Sequence, residues 1–126
     1  MVSTELRLTL PYAPSVNSYW RHVVMGKRAA VLLSEKGRNY REAVALCVMQ
    51  AGCPQVSGRL AVVLEIYQPT RRECDLDNLP KGVLDGLTHA SVWKDDSQID
   101  DLRVIRCGVL PPGKVIVRIR EMNLST

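Results

Sequence analysis

Arg59-Leu60-Ala61-Val62-Val63-Leu64-Glu65-Ile66-Tyr67-Gln68 sets Leu60, Val62, Leu64 and Ile66 on one side of an extended chain and Ala61, Val63, Glu65 and Tyr67 on the other. A two-residue period with one wholly apolar side and a largely apolar reverse predicts a central strand. Working outward, Thr4 to Leu10 alternates in the same way, Leu6, Leu8 and Leu10 against Glu5, Arg7 and Thr9, until Pro11 and Pro14 stop it. Toward the C-terminus, Ile99 to Val109 and Lys114 to Glu121 flank Pro111-Pro112-Gly113, which reads as a closing hairpin.

Two helices stand between these strands. Tyr40, Ala43, Val44, Cys47 and Val48 fall at i, i+3, i+4, i+7 and i+8, one apolar helical face, with Ser34 half of a capping signal before it and Gly52 and Pro54 after it. Asp77 is the predicted N-cap of a second helix running to Ala90, with Pro80 tolerated in its first turn and Leu79, Val83, Leu84 and Leu87 turned inward. Asn17 to Leu33, with a Met25-Gly26-Lys27 turn candidate, reads as a loose hairpin or ordered loop. The expected fold class is α+β, a mixed or mostly antiparallel sheet with both helices packed on one face, in one domain spanning residues 1–126.

The composition agrees with that size. The 126 residues are 46% hydrophobic and 24% charged, with a mean hydropathy of -0.05. That excludes a disordered chain, and the length excludes a second domain. The core must be built of Leu, Val, Ile and Ala, because Phe is absent and aromatics make up 5%. The longest uncharged stretch, Ala43 to Gly58, is broken by Gln50, Gly52, Pro54 and Gln55 and is no membrane span. Glu5 and Arg7 interrupt any secretory leader, so the expected compartment is the cytoplasm. Cys47, Cys53, Cys74 and Cys107 form no C-x-x-C pair and are expected as reduced thiols.

Seventeen basic against thirteen acidic residues give a net charge of +4 and a pI near 9.0. Arg21, Lys27, Arg28, Lys36, Arg38, Arg41, Arg71 and Arg72 lie in the first two-thirds, whereas most acids fall from Glu73 to Asp101. Basic ground around an acidic centre suits a polyanionic substrate.

The chemistry concentrates in Cys74-Asp75-Leu76-Asp77-Asn78-Leu79-Pro80-Lys81 and Trp93-Lys94-Asp95-Asp96-Ser97-Gln98. In extended backbone Asp75 and Asp77 point the same way, with Leu76 turned to the core, so both carboxylates can approach one hard cation. The second helix carries the chain about 18 Å along its axis, and Asp95 and Asp96 return to its start only if the following loop folds over. Carboxylate oxygens suit Mg²⁺ or Mn²⁺ and chemistry at phosphorus. Lys81, at i+4 from Asp77, is placed to neutralise a phosphate oxygen or orient water. Blander roles fit the same residues: Asp77 as a helix cap, Asp95-Asp96-Ser97 as a solvated turn, and Asp77 with Lys81 as a surface ion pair. His22 and His89 are isolated, and Tyr19 with Trp20 either stacks on a base or covers the core edge.

Beyond these short patterns, Leu10-Pro11-Tyr12-Ala13-Pro14-Ser15-Val16-Asn17 with Tyr19 to His22, then Asp75-Leu76-Asp77-Asn78-Leu79 with Lys81 and Asp85, then Val92-Trp93 with Asp95-Asp96 and Gln98-Ile99, resemble the RusA family of Holliday junction resolvases in order and spacing. The Arg103-Val104 strand and the ending near Glu121-Met122 match as well. The resemblance implies a Mg²⁺-dependent endonuclease, bacterial or phage encoded, that acts as a homodimer on four-way junction DNA in recombination and repair. It implies that Asp75, Asp77 and Asp96 are catalytic metal ligands, that Asp95 is a further ligand or lies just behind them, and that Lys81 assists catalysis. DNA contacts are expected from Arg21, Lys27, Arg28, Arg71, Arg72 and Lys94. The family pattern is basic up to the first aspartate, whereas here Glu73 and Cys74 interrupt it, which puts phosphate contact at that point in doubt. Two other classes compete: a non-catalytic nucleic-acid binding module, and a small-molecule phosphatase, which would need a deep pocket.

Overall fold

The computed structural model describes residues 5–122. In chain order the elements are β1 (Glu5–Pro11), α1 (Val16–Tyr19), β2 (Trp20–Met25), β3 (Arg28–Leu33), α2 (Glu35–Gln50), β4 (Leu60–Gln68), α3 (Pro80–His89), β5 (Ile99–Val109) and β6 (Lys114–Glu121). Two short 3-10 helices, Leu76–Asn78 and Asp96–Gln98, precede α3 and β5. The main sheet has the order β1-β6-β4-β5, and β2 with β3 forms a separate two-stranded ribbon. β6 pairs antiparallel with β1 and β4, while β4 and β5 run parallel. The α+β class with a mixed sheet is therefore as expected.

β4 is an interior strand, and its alternation decides what the sheet buries. Leu60, Val62, Leu64 and Ile66 join Leu8 and Leu10 of β1 and Val115, Val117 and Ile119 of β6 in one core. Val44 and Val48 of α2 and Val83 and Leu87 of α3 cover that side. Burial of such side chains, about 1.5–3 kcal/mol each, is what holds two helices to one sheet face. The predicted first strand begins at Thr4, which lies outside the described residues, and it runs through Pro11 rather than stopping at Leu10.

Two expectations require correction. β5 and β6 do not form a hairpin: β4 lies between them, and the segment containing Pro111-Pro112-Gly113 carries the chain across it. The second helix starts at Pro80, not at an Asp77 cap, because residues 76–78 are taken up by a 3-10 helix and Pro80 occupies the first turn, where its missing N–H costs nothing. The Asn17 to Leu33 region is the hairpin that its sequence offers: a single helical turn, α1, leads into the ribbon, where Trp20 stands opposite Leu33 and His22 opposite Val31.

Ser34 proves a full cap despite lacking the reciprocal Glu, since its Oγ accepts from the Gly37 N–H at 3.0 Å. The same Oγ donates to the Tyr19 carbonyl at 2.8 Å. Gly37 lets this corner close, because an added Cβ would stand 2.5 Å from the Tyr19 carbonyl oxygen and 2.7 Å from Leu33 Cδ1. Gly37→Ala is expected to destabilise the fold by about 1–3 kcal/mol, read as a lower urea midpoint with an unchanged slope. A midpoint equal to the wild type's would show that α2 shifts freely.

Candidate active site

The first aspartate follows a tethered loop. Gln68 Nε2, at the end of β4, donates to the Arg72 carbonyl at 3.0 Å. The Tyr12 hydroxyl donates to Cys74 Sγ at 3.5 Å, and burial together with that thiol pushes Tyr12 up to about 12, so it remains a donor. Arg106 of β5 donates through its guanidinium to the Cys74 carbonyl. Asp75 is then extended, with φ -73° and ψ 130°, and caps the 3-10 helix by position without a side-chain hydrogen bond.

Exposure alternates across Asp75, Leu76, Asp77 and Asn78, with both carboxylates exposed and Leu76 packed against the core, as expected. Among the described residues neither carboxylate has a hydrogen-bond or ion-pair partner, in contrast to Asp85 and Asp100, which are each held by an arginine. The i, i+4 pairing of Asp77 with Lys81 within one helix does not hold, since α3 begins between them. Lys81 lies in its first turn, exposed and without a salt bridge among the described residues.

The loop after α3 does fold back. The 3-10 helix Asp96–Gln98 packs on α3. Burial and the adjoining Asp95 carboxylate push Asp96 above the usual carboxylate range, an effect that the Lys81 charge opposes. Asp95 is tied to the turn: its Oδ1 accepts from the Ser97 N–H at 3.1 Å, while Gln98 Oε1 accepts from the Asp95 N–H at 3.0 Å. That backbone hydrogen bond, with Asp96 beside it, draws Asp95 below the usual range. Asp95, Asp96 and Ser97 are all exposed, as the solvated-turn role read from the sequence also expects. Among the described residues no three His, Cys, Asp or Glu side chains stand close enough to form a ready-made metal cage. Two unpaired carboxylates nevertheless fit Mg²⁺, which is commonly held by one or two carboxylates, water and the substrate's own phosphate oxygens.

Behind Lys81 is a cluster whose pairing no local pattern reveals. Arg41 of α2 grips Asp85 of α3 with Nε at 2.7 Å and Nη2 at 3.0 Å, and the Tyr19 hydroxyl donates to the same carboxylate. Burial alone would raise Asp85, but the Arg41 and Tyr19 hydrogen bonds hold it below the usual range. Asp85 is one helical turn beyond Lys81, so this clamp joins α1, α2 and α3 directly behind the site.

The expected DNA-contacting residues fall on separate surfaces. Arg21, Lys27 and Arg28 are exposed on the β2–β3 ribbon. Arg71 and Arg72 line a recess of about 310 Å³ with Asp75 and Arg106. Lys94 lines a different one with Trp93 and Gln98. Arg106 supplies positive charge where Glu73 and Cys74 interrupt the basic run; it is 32 residues away from the carbonyl it binds, so no local pattern could reveal it. Among the described residues the four cysteines are free, and no helix is long and apolar enough to cross a membrane.

The family model described as "Endodeoxyribonuclease RusA" matches residues 11–120. The chain belongs to the RusA family. It is 38% identical over 120 residues to the crossover junction endodeoxyribonuclease rusA of Enterobacteria phage HK97, covering 94% of this chain and 97% of that one. The crossover junction endodeoxyribonuclease RusA of Escherichia coli is 37% identical over 117 residues, covering 92% and 94%. That of Enterobacteria phage 82 is 36% identical over 117 residues. The matched RusA segment contains the proposed ligands Asp75, Asp77, Asp95 and Asp96, together with Lys81 and every expected DNA-contacting residue.

Proposed function

We propose that this RusA family member is a metal-dependent endodeoxyribonuclease that resolves four-way DNA junctions. The observation that carries the reading is the pair of unpaired, exposed carboxylates, Asp75 and Asp77, on a tethered turn in a chain that is 36–38% identical to crossover junction endodeoxyribonucleases over most of its length. A nucleic-acid binding module would have no need of two unbalanced acids beside the arginines Arg71, Arg72 and Arg106.

Asp75 and Asp77 would hold Mg²⁺, or Mn²⁺ in its place; Asp96, which does not stand with them as a ready-made cage among the described residues, would add its carboxylate only once ion and substrate phosphate are bound, with Asp95 orienting the turn that carries it. Such an ion, when bound, polarises the phosphodiester and makes its bound water a stronger nucleophile. Lys81 presents an ammonium to the same space and stabilises the charge that grows on the phosphate oxygens. Arg71, Arg72 and Arg106 border Asp75 and hold the backbone beside the cleaved bond; Arg21, Lys27, Arg28 and Lys94 contact phosphates farther out, where salt weakens them together. Symmetric resolution of a two-fold junction calls for two sites facing opposite strands, so the acting unit is a homodimer. Bacterial and phage relatives and a DNA substrate support a reaction in the bacterial cytoplasm.

A metal titration tests this. Nicking of a labelled four-way junction should rise with Mg²⁺ and stop with EDTA, whereas metal-independent nicking would exclude the mechanism. Lys81→Ala should lower the single-turnover rate by about 10²-fold with junction affinity nearly intact. Loss of affinity with an unchanged rate in saturated complexes would make Lys81 a phosphate clamp only.

A further inference from the structure

A recess of about 360 Å³ opens between the β2–β3 ribbon and α3, lined by Val16, Asn17, Trp20, His22, Val31 and Lys81. Its volume falls in the range of small-ligand sites, about 300–1,000 Å³. The nuclease reading uses only Lys81 at its edge. We propose that this recess receives one unstacked base of the cleaved strand, next to the scissile phosphate, and that Asn17 and His22 read its edge. The inference rests on the junction nuclease reading and deepens it.

The wall chemistry matches a nucleobase in two respects. Trp20, His22 and Val31 lie on one face of the ribbon, because Trp20 and His22 are two apart on β2 and Val31 is His22's cross-strand partner. They offer an indole, an imidazole and an aliphatic surface to a flat ring. Asn17 and His22 are both exposed, and between them they provide donors and acceptors for a base edge.

The recess is also prepared rather than pliable. The Trp20 ring meets Tyr19 edge-on, with centroids 5.1 Å apart and planes at 68°, and Tyr19 is itself fixed by Asp85 and Arg41. Gly82, next to Lys81, permits this contact: a Cβ there would lie 3.0 Å from Tyr19 Cδ2. The clamp behind the active site therefore sets both the lysine and the aromatic wall. Asn17, His22 and Val31 are exposed, so the recess is open enough to take a base still attached to its strand.

Unstacking a base from intact duplex costs free energy, and least where the base has already lost a neighbour. At a branch point that loss is built in. A base pocket beside Lys81 would thus couple junction selectivity and sequence preference in one event, since linear duplex must break stacking before its phosphate is seated.

The test uses four-way junctions carrying each of the four bases, and an abasic residue, at the positions flanking the mapped nick, with kcat/KM measured for the full-length protein. Wild type should favour one base at one position by about 10-fold and should cut the abasic junction as poorly as the disfavoured ones. Asn17→Ala with His22→Ala should narrow the spread to within about 2-fold while junction affinity holds. 2-Aminopurine at that position should change its emission when the non-cleaving Asp77→Asn protein binds, and should not when the two recess substitutions are added. Even cutting across all four bases and the abasic junction, with unchanged emission, overturns the pocket alone. A wild type that nicks no junction with any divalent ion overturns the function on which the pocket depends.

Discussion

Asp77→Asn should abolish junction cleavage, lowering the rate by at least about 10³-fold, while junction binding stays equal to wild type or tightens. The substitution keeps shape and hydrogen-bonding capacity but removes one charge from a pair of unpaired carboxylates. A cation worth several kcal/mol to the transition state loses much of its hold, and each 1.36 kcal/mol is about tenfold in rate. The fold should be untouched, because Asp77 is exposed and has no partner among the described residues. Binding should not fall, since a carboxylate near phosphate is repulsive until a cation stands between them. Circular dichroism, junction affinity without metal and single-turnover cleavage with Mg²⁺ separate these effects. Normal cleavage by this variant would remove Asp77 from the site.

The second large effect should come from Asp85, which touches no proposed substrate atom. Asp85→Ala leaves the half-buried Arg41 guanidinium and the Tyr19 hydroxyl facing each other without an acceptor, at a cost of about 2–3 kcal/mol. The sign with pH follows from the carboxylate's lowered value. Its stabilisation is fully present above the unfolded carboxylate's value of about 4 and is lost as pH falls through the lower folded one. The gap in melting temperature between wild type and Asp85→Asn should thus be wide at neutral pH and close below about pH 4. A gap independent of pH would show that Asp85 contributes through packing alone. Because Lys81 is one turn away, the surviving folded fraction of Asp85→Asn should also cleave more slowly, with junction affinity unchanged.

The parts of this molecule that could be read from sequence are those governed by local period. β1, β4 and α2 declare themselves by alternation or by a 3.6-residue stripe, because each buries one face against a single core. The D-x-D segment, Lys81 and the Asp95-Asp96 turn were also visible, as chemistry compressed into a few neighbouring residues. What escaped is set by pairing across the chain. Two strands around Pro111-Pro112-Gly113 resemble a hairpin because adjacent strands usually pair, yet β6 finds better burial between β1 and β4, leaving β5 to run parallel along the other side of β4. Asp77 is a good cap by type and so marks a helix start in the sequence, whereas Pro80 fixes the first turn by its backbone. Arg106, and Arg41 with Tyr19 around Asp85, come to the site from 32, 44 and 66 residues away from their partners, distances over which one sequence carries no signal.

The central claim is that this chain cuts branched DNA at a carboxylate-held metal. The most direct test incubates purified protein with an end-labelled synthetic four-way junction and with linear duplex of matching sequence, each with Mg²⁺ or with EDTA, and maps the cuts on all strands. The account predicts paired nicks at symmetric positions in two opposing strands of the junction, only with Mg²⁺, and none in the duplex. Salt-sensitive binding without nicks in any divalent ion would contradict it and leave a DNA-binding module.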